Sequence, residues 1–224
     1  MFCLQGIAQN GKFYPPYTKW YQDPFGLRPL ELSSAAGFIW GTAAIAACVI
    51  LTKKDSAFHR KIAMYNESGL SFGYKPPYTM AFQNNMGMIY KMRRWMAVGM
   101  DWNAIHFADD AGSTWSFGIR PFARWYFITG KKANVFFEYG AGTSYSLKKF
   151  PFIGTGYDND TARTGTRFNF TTKYGVGTEI HIDKRFYLQA GIRHFHLSNA
   201  NIKGYGRNPS HDSNGLFMGL MYGF

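Results

Sequence analysis

Hydrophobic and polar residues alternate along most of the chain from about residue 66 onwards. In residues 214–224, for example, Leu216, Met218 and Leu220 share one face of an extended chain, whereas Gly219 lies on the other. A period of two predicts β-strands, and each alternating segment is long enough to cross a membrane as a strand. Eight such segments cover residues 66–74, 79–91, 95–107, 114–128, 134–147, 167–182, 185–198 and 214–224.

The less aromatic face of these segments carries four acids and four bases. They are Glu67, Asp101, Glu138, Glu179, Arg120, Arg124, Lys173 and Arg193. A soluble barrel would place charges outside, but the apolar face here is too large and too aromatic to fill a small interior. The pattern therefore predicts an all-β fold, an eight-stranded antiparallel transmembrane outer-membrane β-barrel with an N-terminal apolar helix. Charges of both signs in a narrow lumen should pair and fill it, so we expect no pore.

Connection lengths predict the orientation of the barrel. The connections near residues 92–94, 129–133 and 183–184 are short, and those near 108–113, 148–166 and 199–213 are longer. Outer-membrane barrels have short periplasmic turns and longer outer loops. We therefore expect both chain ends of the barrel on the periplasmic side and the protein in the bacterial outer membrane.

Composition narrows the class of protein. Hydrophobic residues make up 46% of the 224 residues, which excludes disorder, and the mean hydropathy of −0.25 excludes a polytopic helical membrane protein. Two cysteines support neither a disulfide framework nor a cysteine zinc site. We expect no metal or other cofactor. The net charge of +12 fits either nucleic acid or phosphate-bearing lipid.

The N-terminal quarter of the chain differs from the barrel. Residues 1–9 are either a candidate signal-peptide remnant or a plain tail. Residues 10–61 form an N-terminal extension with an uncharged segment at 33–52, which is long enough to span a bilayer as a helix, and the barrel covers 62–224. For this segment, a helix in contact with the membrane is favoured over a helix buried in a soluble core. One small-residue face, Gly37, Gly41 and Ala44, predicts packing against the barrel wall or against other subunits of an outer-membrane complex.

The strand at residues 185–198 contains the candidate chemistry. His194, His196 and Ser198 continue its lipid-facing parity at the outer end, where polar groups are costly unless they serve a function. Residues i and i+2 of a strand lie side by side, so His196 could take the Ser198 proton and activate it toward an ester. Taken alone, however, His-x-Ser more often marks polar residues where a strand leaves the membrane.

The run HLSNANIKGYGRNP, from His196 to Pro209, closely resembles the PagL-type lipid A 3-O-deacylases of the acyloxyacyl hydrolase-like outer-membrane family. The shared motif is His-x-Ser-Asn-Ala, then a basic residue, then an Asn before the last strand. The segment NFTTKYGVG at residues 169–177 also resembles the sixth strand of the family. The resemblance covers about residues 66–224 and implies a Ser-His-acid site on the lipid-facing, outer-leaflet side of the barrel.

By position, the resemblance makes Ser198 the nucleophile and His196 the general base. The oxyanion stabilisers fall on Asn208 and on backbone N–H near Asn201. The family acid falls on Asn214, a departure, because an amide can orient a histidine but cannot stabilise an imidazolium as a carboxylate does. Asp212 has the same parity and could substitute, whereas His211, as a lone loop histidine, is expected to be solvated.

Two hypotheses for the function follow. In the first, the protein is an esterase that removes an ester-linked acyl chain from lipid A, with Lys203, Arg207 and Arg167 beside the site as weak candidates for binding its phosphates. In the second, the barrel is a non-catalytic structural subunit of a larger outer-membrane complex, motivated by Asn214 and the extra helix. Nucleic acid is not an expected partner, because the basic loops flank a lipid-facing belt and no nucleic-acid motif occurs.

Overall fold

Each alternating segment forms a strand in the computed structural model, which describes residues 35–51, 61–75, 77–152, 164–200, 202–203 and 207–224. One helix, α1 (Ala35–Leu51), precedes the strands. The strands are β1 (Lys61–Lys75), β2 (Pro77–Lys91), β3 (Met96–Asp109), β4 (Gly112–Thr129), β5 (Ala133–Phe150), β6 (Thr166–His181), β7 (Phe186–Ser198) and β8 (His211–Gly223). The expected signal remnant and residues 10–32 lie outside the described residues.

The strands close into one antiparallel barrel. Each strand pairs with the next along the chain, and β1 pairs with β8. The prediction of an eight-stranded all-β barrel is therefore confirmed. β1 begins at Lys61 and β8 at His211, earlier than the alternation indicates, because ladder pairing with neighbouring strands continues past the alternating residues.

The two ends of the barrel differ in their connections. One end, the turn end, carries the connections 92–95, 130–132 and 182–185 together with both ends of the barrel chain. The opposite end, the loop end, carries the two longest connections, residues 151–165 and 199–210. The expected longer loop near residues 108–113 is instead a turn of residues 110–111, because β3 and β4 pair as far as Asp109 and Gly112.

Charged side chains fill the middle of the lumen, as the pattern predicts. The Lys173 ammonium lies 2.6 Å from Glu138 and 3.0 Å from Asp101, and Arg193 lies 2.7 Å from Glu67. The remaining close ion pairs are Arg120–Asp101, Arg124–Glu138, Arg124–Glu179 and Lys91–Glu179. Because buried charges are tolerated only when paired, the acids and bases of the lumen lie next to one another and fill its middle.

Apolar layers lie on both sides of the charged layer. Toward the turn end the layer consists of Ala63, Tyr65, Ile89, Ala97, Phe122, Tyr126, Phe136, Tyr187, Phe217 and Met221. Toward the loop end it consists of Ala81, Ile105, Phe107, Phe150, Phe195 and Leu197. Side chains thus occupy the lumen along its length, as expected for a barrel of eight strands.

The outer wall exposes large apolar side chains on all eight strands. One example from each strand, in order, is Ile62, Met86, Met100, Phe117, Leu147, Phe168, Phe186 and Leu216. Soluble proteins rarely expose a continuous apolar surface of this kind. The inverted arrangement, with charges inside and apolar groups outside, is what a barrel in lipid requires.

Helix α1 lies against the outside of the barrel at β5. Ile45 packs on the cluster Tyr139, Ala141 and Tyr174, and Gly41 sits so close to the Tyr139 ring that a β-carbon there would overlap it. Of the expected contact face, Gly41 makes contact but Ala44 is exposed. α1 is shorter than the uncharged segment 33–52, and among the described residues no helix is long and apolar enough to cross a membrane.

Candidate active site

Strand β7 presents its polar residues on the outer wall, close to the loop end. Arg193, Phe195 and Leu197 point into the lumen and are buried. The alternate residues His196 and Ser198 lie on the opposite, outward face and are half-buried. The sequence therefore predicts correctly which residues of β7 face the lumen and which face outward.

His196 is paired with a carboxylate on the neighbouring strand. β7 and β8 pair in a register that sets His196 opposite Asp212, and His196 Nδ1 lies 2.7 Å from Asp212 Oδ1. At that distance the carboxylate accepts the Nδ1 proton, so the other ring nitrogen, Nε2, is left as the base. Both side chains are largely shielded, with 15% of His196 and 10% of Asp212 exposed, and this strengthens their attraction.

The position of Asp212 corrects one sequence-based expectation. Asn214, the position expected to hold the acid, lies two residues further along β8, opposite His194 and not opposite His196. Its Oδ1 is 2.9 Å from His194 Nδ1. Since both residues of β8 have the same parity, only the register decides which one meets His196, and the register selects Asp212.

The Ser198 hydroxyl is held by the loop that joins β7 to β8. It donates to Asn208 Oδ1 at 3.0 Å and accepts the backbone N–H of Ala200 at 3.0 Å. Asn208 Oδ1 also accepts the backbone N–H of Asn199 at 3.0 Å. The hydroxyl does not donate to His196 in this arrangement. A rotation of the hydroxyl group about its side-chain bond would redirect it, and such catalytic hydrogen bonds often form only with substrate present.

The loop is fixed by a buried asparagine. Asn199, 3% exposed, donates through Nδ2 to Thr166 Oγ1 at 3.2 Å and to the Arg207 carbonyl at 2.6 Å. Ala200 has a φ of 53°, a left-handed conformation that turns its N–H back toward Ser198. The motif Ser-Asn-Ala therefore does three separate things: it supplies the hydroxyl, ties the loop to β6, and makes the turn.

The other candidate residues from the sequence differ in their exposure to solvent. Lys203, Arg207 and Arg167 are exposed. Asn201, expected to offer a backbone N–H, lies outside the described residues. His211 is buried inside the lumen, with its ring 5.2 Å from that of Phe107, and the expectation that it is solvated is wrong, because β8 begins there and directs it inward.

One residue in the cluster was not singled out for a role. His194 has the outward parity of His196 and Ser198 but is completely buried. Its ring packs on Tyr174, with ring centroids 4.8 Å apart, and its Nε2 lies 3.5 Å from Asp212 Oδ1. In the sequence, His194 is distinguished only as a third polar residue, two positions before His196, and this spacing does not indicate that its side chain is buried.

The cluster has the components of a serine esterase. A hydroxyl, an imidazole two residues away on the same face and a carboxylate on the ring nitrogen provide a nucleophile, a general base and the group that orients the base. Asn208 and the backbone N–H of Ala200 both contact the Ser198 hydroxyl. His196 and Ser198 lie on the outward face of β7, beside the apolar wall of the barrel.

Comparisons with known proteins identify a family and two similar barrels. The model of a family described as "Lipid A 3-O-deacylase (PagL)" matches residues 69–221. The crystal structure of the outer membrane enzyme PagL is similar at 18% identity and a TM-score of 0.51, over 69% of this chain and 97% of that one. Neisserial surface protein A is similar at 10% identity and a TM-score of 0.51, over 74% and 97%. At these identities the two structures support the fold alone. No curated protein sequence matches the chain.

Proposed function

The chain belongs to the lipid A 3-O-deacylase (PagL) family, and from that premise we propose that it is an esterase that removes an ester-linked acyl chain from lipid A. The resemblance read from the motif around Ser198 is confirmed at the level of the family. The chain is an outer-membrane β-barrel, in keeping with its exposed apolar wall. The observation that carries the proposal is the convergence of Ser198, His196, Asp212 and Asn208 on that wall.

The proposed reaction proceeds through an acyl-enzyme. The Ser198 hydroxyl turns from Asn208 toward His196 and attacks the ester carbonyl, while His196 Nε2 takes its proton. Asp212, 2.7 Å from His196 Nδ1, keeps the ring in the required tautomer and stabilises the imidazolium. His196 then gives the proton to the departing sugar hydroxyl, and water releases the fatty acid by the same steps.

The amide of Asn208 and the backbone N–H of Ala200 stabilise the tetrahedral oxyanion in this proposal. The Ala200 N–H already donates to the Ser198 oxygen at 3.0 Å. Asn208 contacts the same hydroxyl through Oδ1 at 3.0 Å, so its Nδ2 donor must turn toward the oxyanion when the hydroxyl leaves. Preorganised donors of this kind act most strongly where water is excluded, as it is at a lipid-facing wall. No metal is required for any step. Ser198, His196 and Asp212 carry out the proton transfers, and the hydrogen-bond donors stabilise the negative charge of the oxyanion.

The orientation in the membrane follows from where the substrate is. Lipid A occupies the outer leaflet, so we place the loop end of the barrel outside. Arg207 and Lys203 then lie at the level of the lipid A phosphates, and Asn199 fixes the Arg207 backbone beside the site. Replacing both with Gln is expected to raise KM more than it lowers kcat.

The alternative hypothesis, a non-catalytic subunit of a larger complex, had two arguments in its favour. The first was Asn214 in place of an acid, and this argument no longer holds, because Asp212 provides a carboxylate beside His196. The other reason, the apolar helix, is weaker, because α1 uses one side against its own barrel.

The test is a mass spectrum of lipid A from cells that express the protein. Wild type should shorten lipid A by one ester-linked acyl chain, and Ser198→Ala and His196→Ala should each leave it intact. Heat-dependent migration on gels checks that each variant still forms a barrel. A wild-type spectrum unchanged by expression or deletion would contradict the proposal.

A further inference from the structure

A second histidine is buried beside the proposed catalytic residues. His194 precedes His196 by two residues on the outward face of β7, yet none of it is exposed. Its ring packs on the ring of Tyr174, which belongs to the buried cluster that Ile45 of α1 packs against. A buried imidazole on the lipid side of a barrel is costly unless its nitrogens are paired. The contacts of this ring therefore call for a functional explanation.

Both ring nitrogens of His194 face polar atoms of β8. Nδ1 lies 2.9 Å from the Asn214 side-chain amide, and Nε2 lies 3.5 Å from Asp212 Oδ1. The same Asp212 oxygen is 2.7 Å from His196 Nδ1. Two imidazole rings thus converge on one carboxylate oxygen, and only one of them belongs to the proposed triad.

One neutral arrangement of the protons suits the three distances above, of which the 3.5 Å between His194 Nε2 and Asp212 is the longest. An amide has a donor and an acceptor end, and a half-turn of the Asn214 side chain exchanges them. If the amide N–H of Asn214 donates to His194 Nδ1, the His194 proton lies on Nε2 and points at Asp212. Asp212 then accepts the hydrogen bond of His196 Nδ1–H at 2.7 Å, and the His194 Nε2–H points at the same oxygen from 3.5 Å. In the opposite arrangement, the Nε2 lone pair would face the carboxylate, which is repulsive.

We infer that His194 is a positioning residue for the deacylase: it directs Nε2–H at the Asp212 carboxylate and is held in that tautomer by Asn214. The inference rests on the proposed function of Ser198, His196 and Asp212. The His194 N–H keeps the Asp212 carboxylate turned toward His196. Lipid covers this wall of the barrel, so no water molecule can take the place of the N–H. Asn214 thereby takes part in the site without being the acid.

Two substitutions at His194 separate this role from simple packing. In His194→Gln the side-chain nitrogen can occupy the place of Nε2 and still donate to Asp212. In His194→Asn the nitrogen reaches only the place of Nδ1, so Asp212 loses its second donor. Because a hydrogen bond to a charged group is at stake, we expect kcat to fall about 10- to 100-fold in His194→Asn. We expect KM to stay within about twofold, and His194→Gln to retain kcat to within about threefold.

Asn214→Asp provides an independent variant of nearly unchanged size. A carboxylate there cannot donate to His194 Nδ1, so the donor that fixes the Nε2–H tautomer is lost and kcat should fall as in His194→Asn. A rise in kcat would show instead that position 214 is the better place for the acid, and would overturn the inference. His106→Asn is the matched control, because His106 is an outward histidine on β3 that packs on Trp115 far from Ser198. It should leave kcat unchanged.

The assay is deacylation of purified lipid A in detergent micelles by the full chain, with kcat and KM measured separately. Equal losses in His194→Gln and His194→Asn, or no loss in His194→Asn, would refute the positioning role. If both variants fail to form the heat-modifiable barrel, Asn214→Asp alone decides the question. Failure of the proposed function has a different signature, because Ser198→Ala would then match wild type.

Discussion

Replacing Asp212 with Asn should abolish most of the activity without disturbing the barrel. The substitution removes one oxygen charge 2.7 Å from His196 Nδ1 and keeps the size of the side chain. The imidazolium formed in the reaction loses its counter-charge, and two unit charges about 4 Å apart attract by about 4 kcal/mol at an effective dielectric constant of about 20. Because about 1.4 kcal/mol corresponds to a tenfold change in rate, kcat should fall about a thousandfold.

The loss should appear in kcat and not in KM, because Asp212 is behind His196 and away from the ester. Release of fatty acid from lipid A in micelles, over a range of substrate concentrations, measures both constants. Asp110→Asn, the same substitution at an exposed turn residue, is the matched control and should behave as wild type. If Asp212→Asn keeps kcat within about threefold of wild type, the carboxylate does not assist His196 and the assignment of the acid is wrong.

Three further substitutions test other parts of the molecule. Asn208→Asp keeps the acceptor for Ser198 but removes the amide donor, so kcat should fall about 100- to 1000-fold in the same assay. Lys173→Met leaves three lumen carboxylates without their shared ammonium and should lower the free energy of unfolding by about 3–5 kcal/mol in urea titrations, whereas the exposed Lys148→Met should not. Gly41→Leu should detach α1 from the barrel and increase its cleavage by protease, while Ala44→Leu, on the exposed side of α1, leaves cleavage unchanged; equal cleavage in the two variants would refute the packing at Gly41.

The barrel could be predicted from the sequence because its determinants are local. Alternation within one strand already tells which residues face lipid and which face the lumen, and the pairing of opposite charges inside follows from the same parity. Ser198 and His196 were found for a similar reason, since they lie two residues apart on one strand. The exact strand ends were missed, because ladder bonds extend beyond the alternating residues.

The acid of the site could not be predicted, because it depends on register between strands. Asp212 and Asn214 share one parity, and the register of β7 against β8 decides which of them lies opposite His196. The burial of His194 could not be predicted either, since its ring packs against Tyr174 of another strand. Residues that a local motif brings together were therefore predicted, and those that only the closed barrel brings together were not.

The most direct test of the proposed chemistry is covalent labelling of the nucleophile. An alkyl fluorophosphonate reacts with an activated serine, whose oxygen displaces fluoride from phosphorus, and peptide mass spectrometry locates the adduct. We expect one adduct on Ser198 in the folded wild-type protein, little in His196→Ala or Asp212→Asn, and none in Ser198→Ala. A folded wild-type barrel that remains unlabelled at Ser198, or that is labelled equally well without His196, would contradict the assignment of a serine esterase.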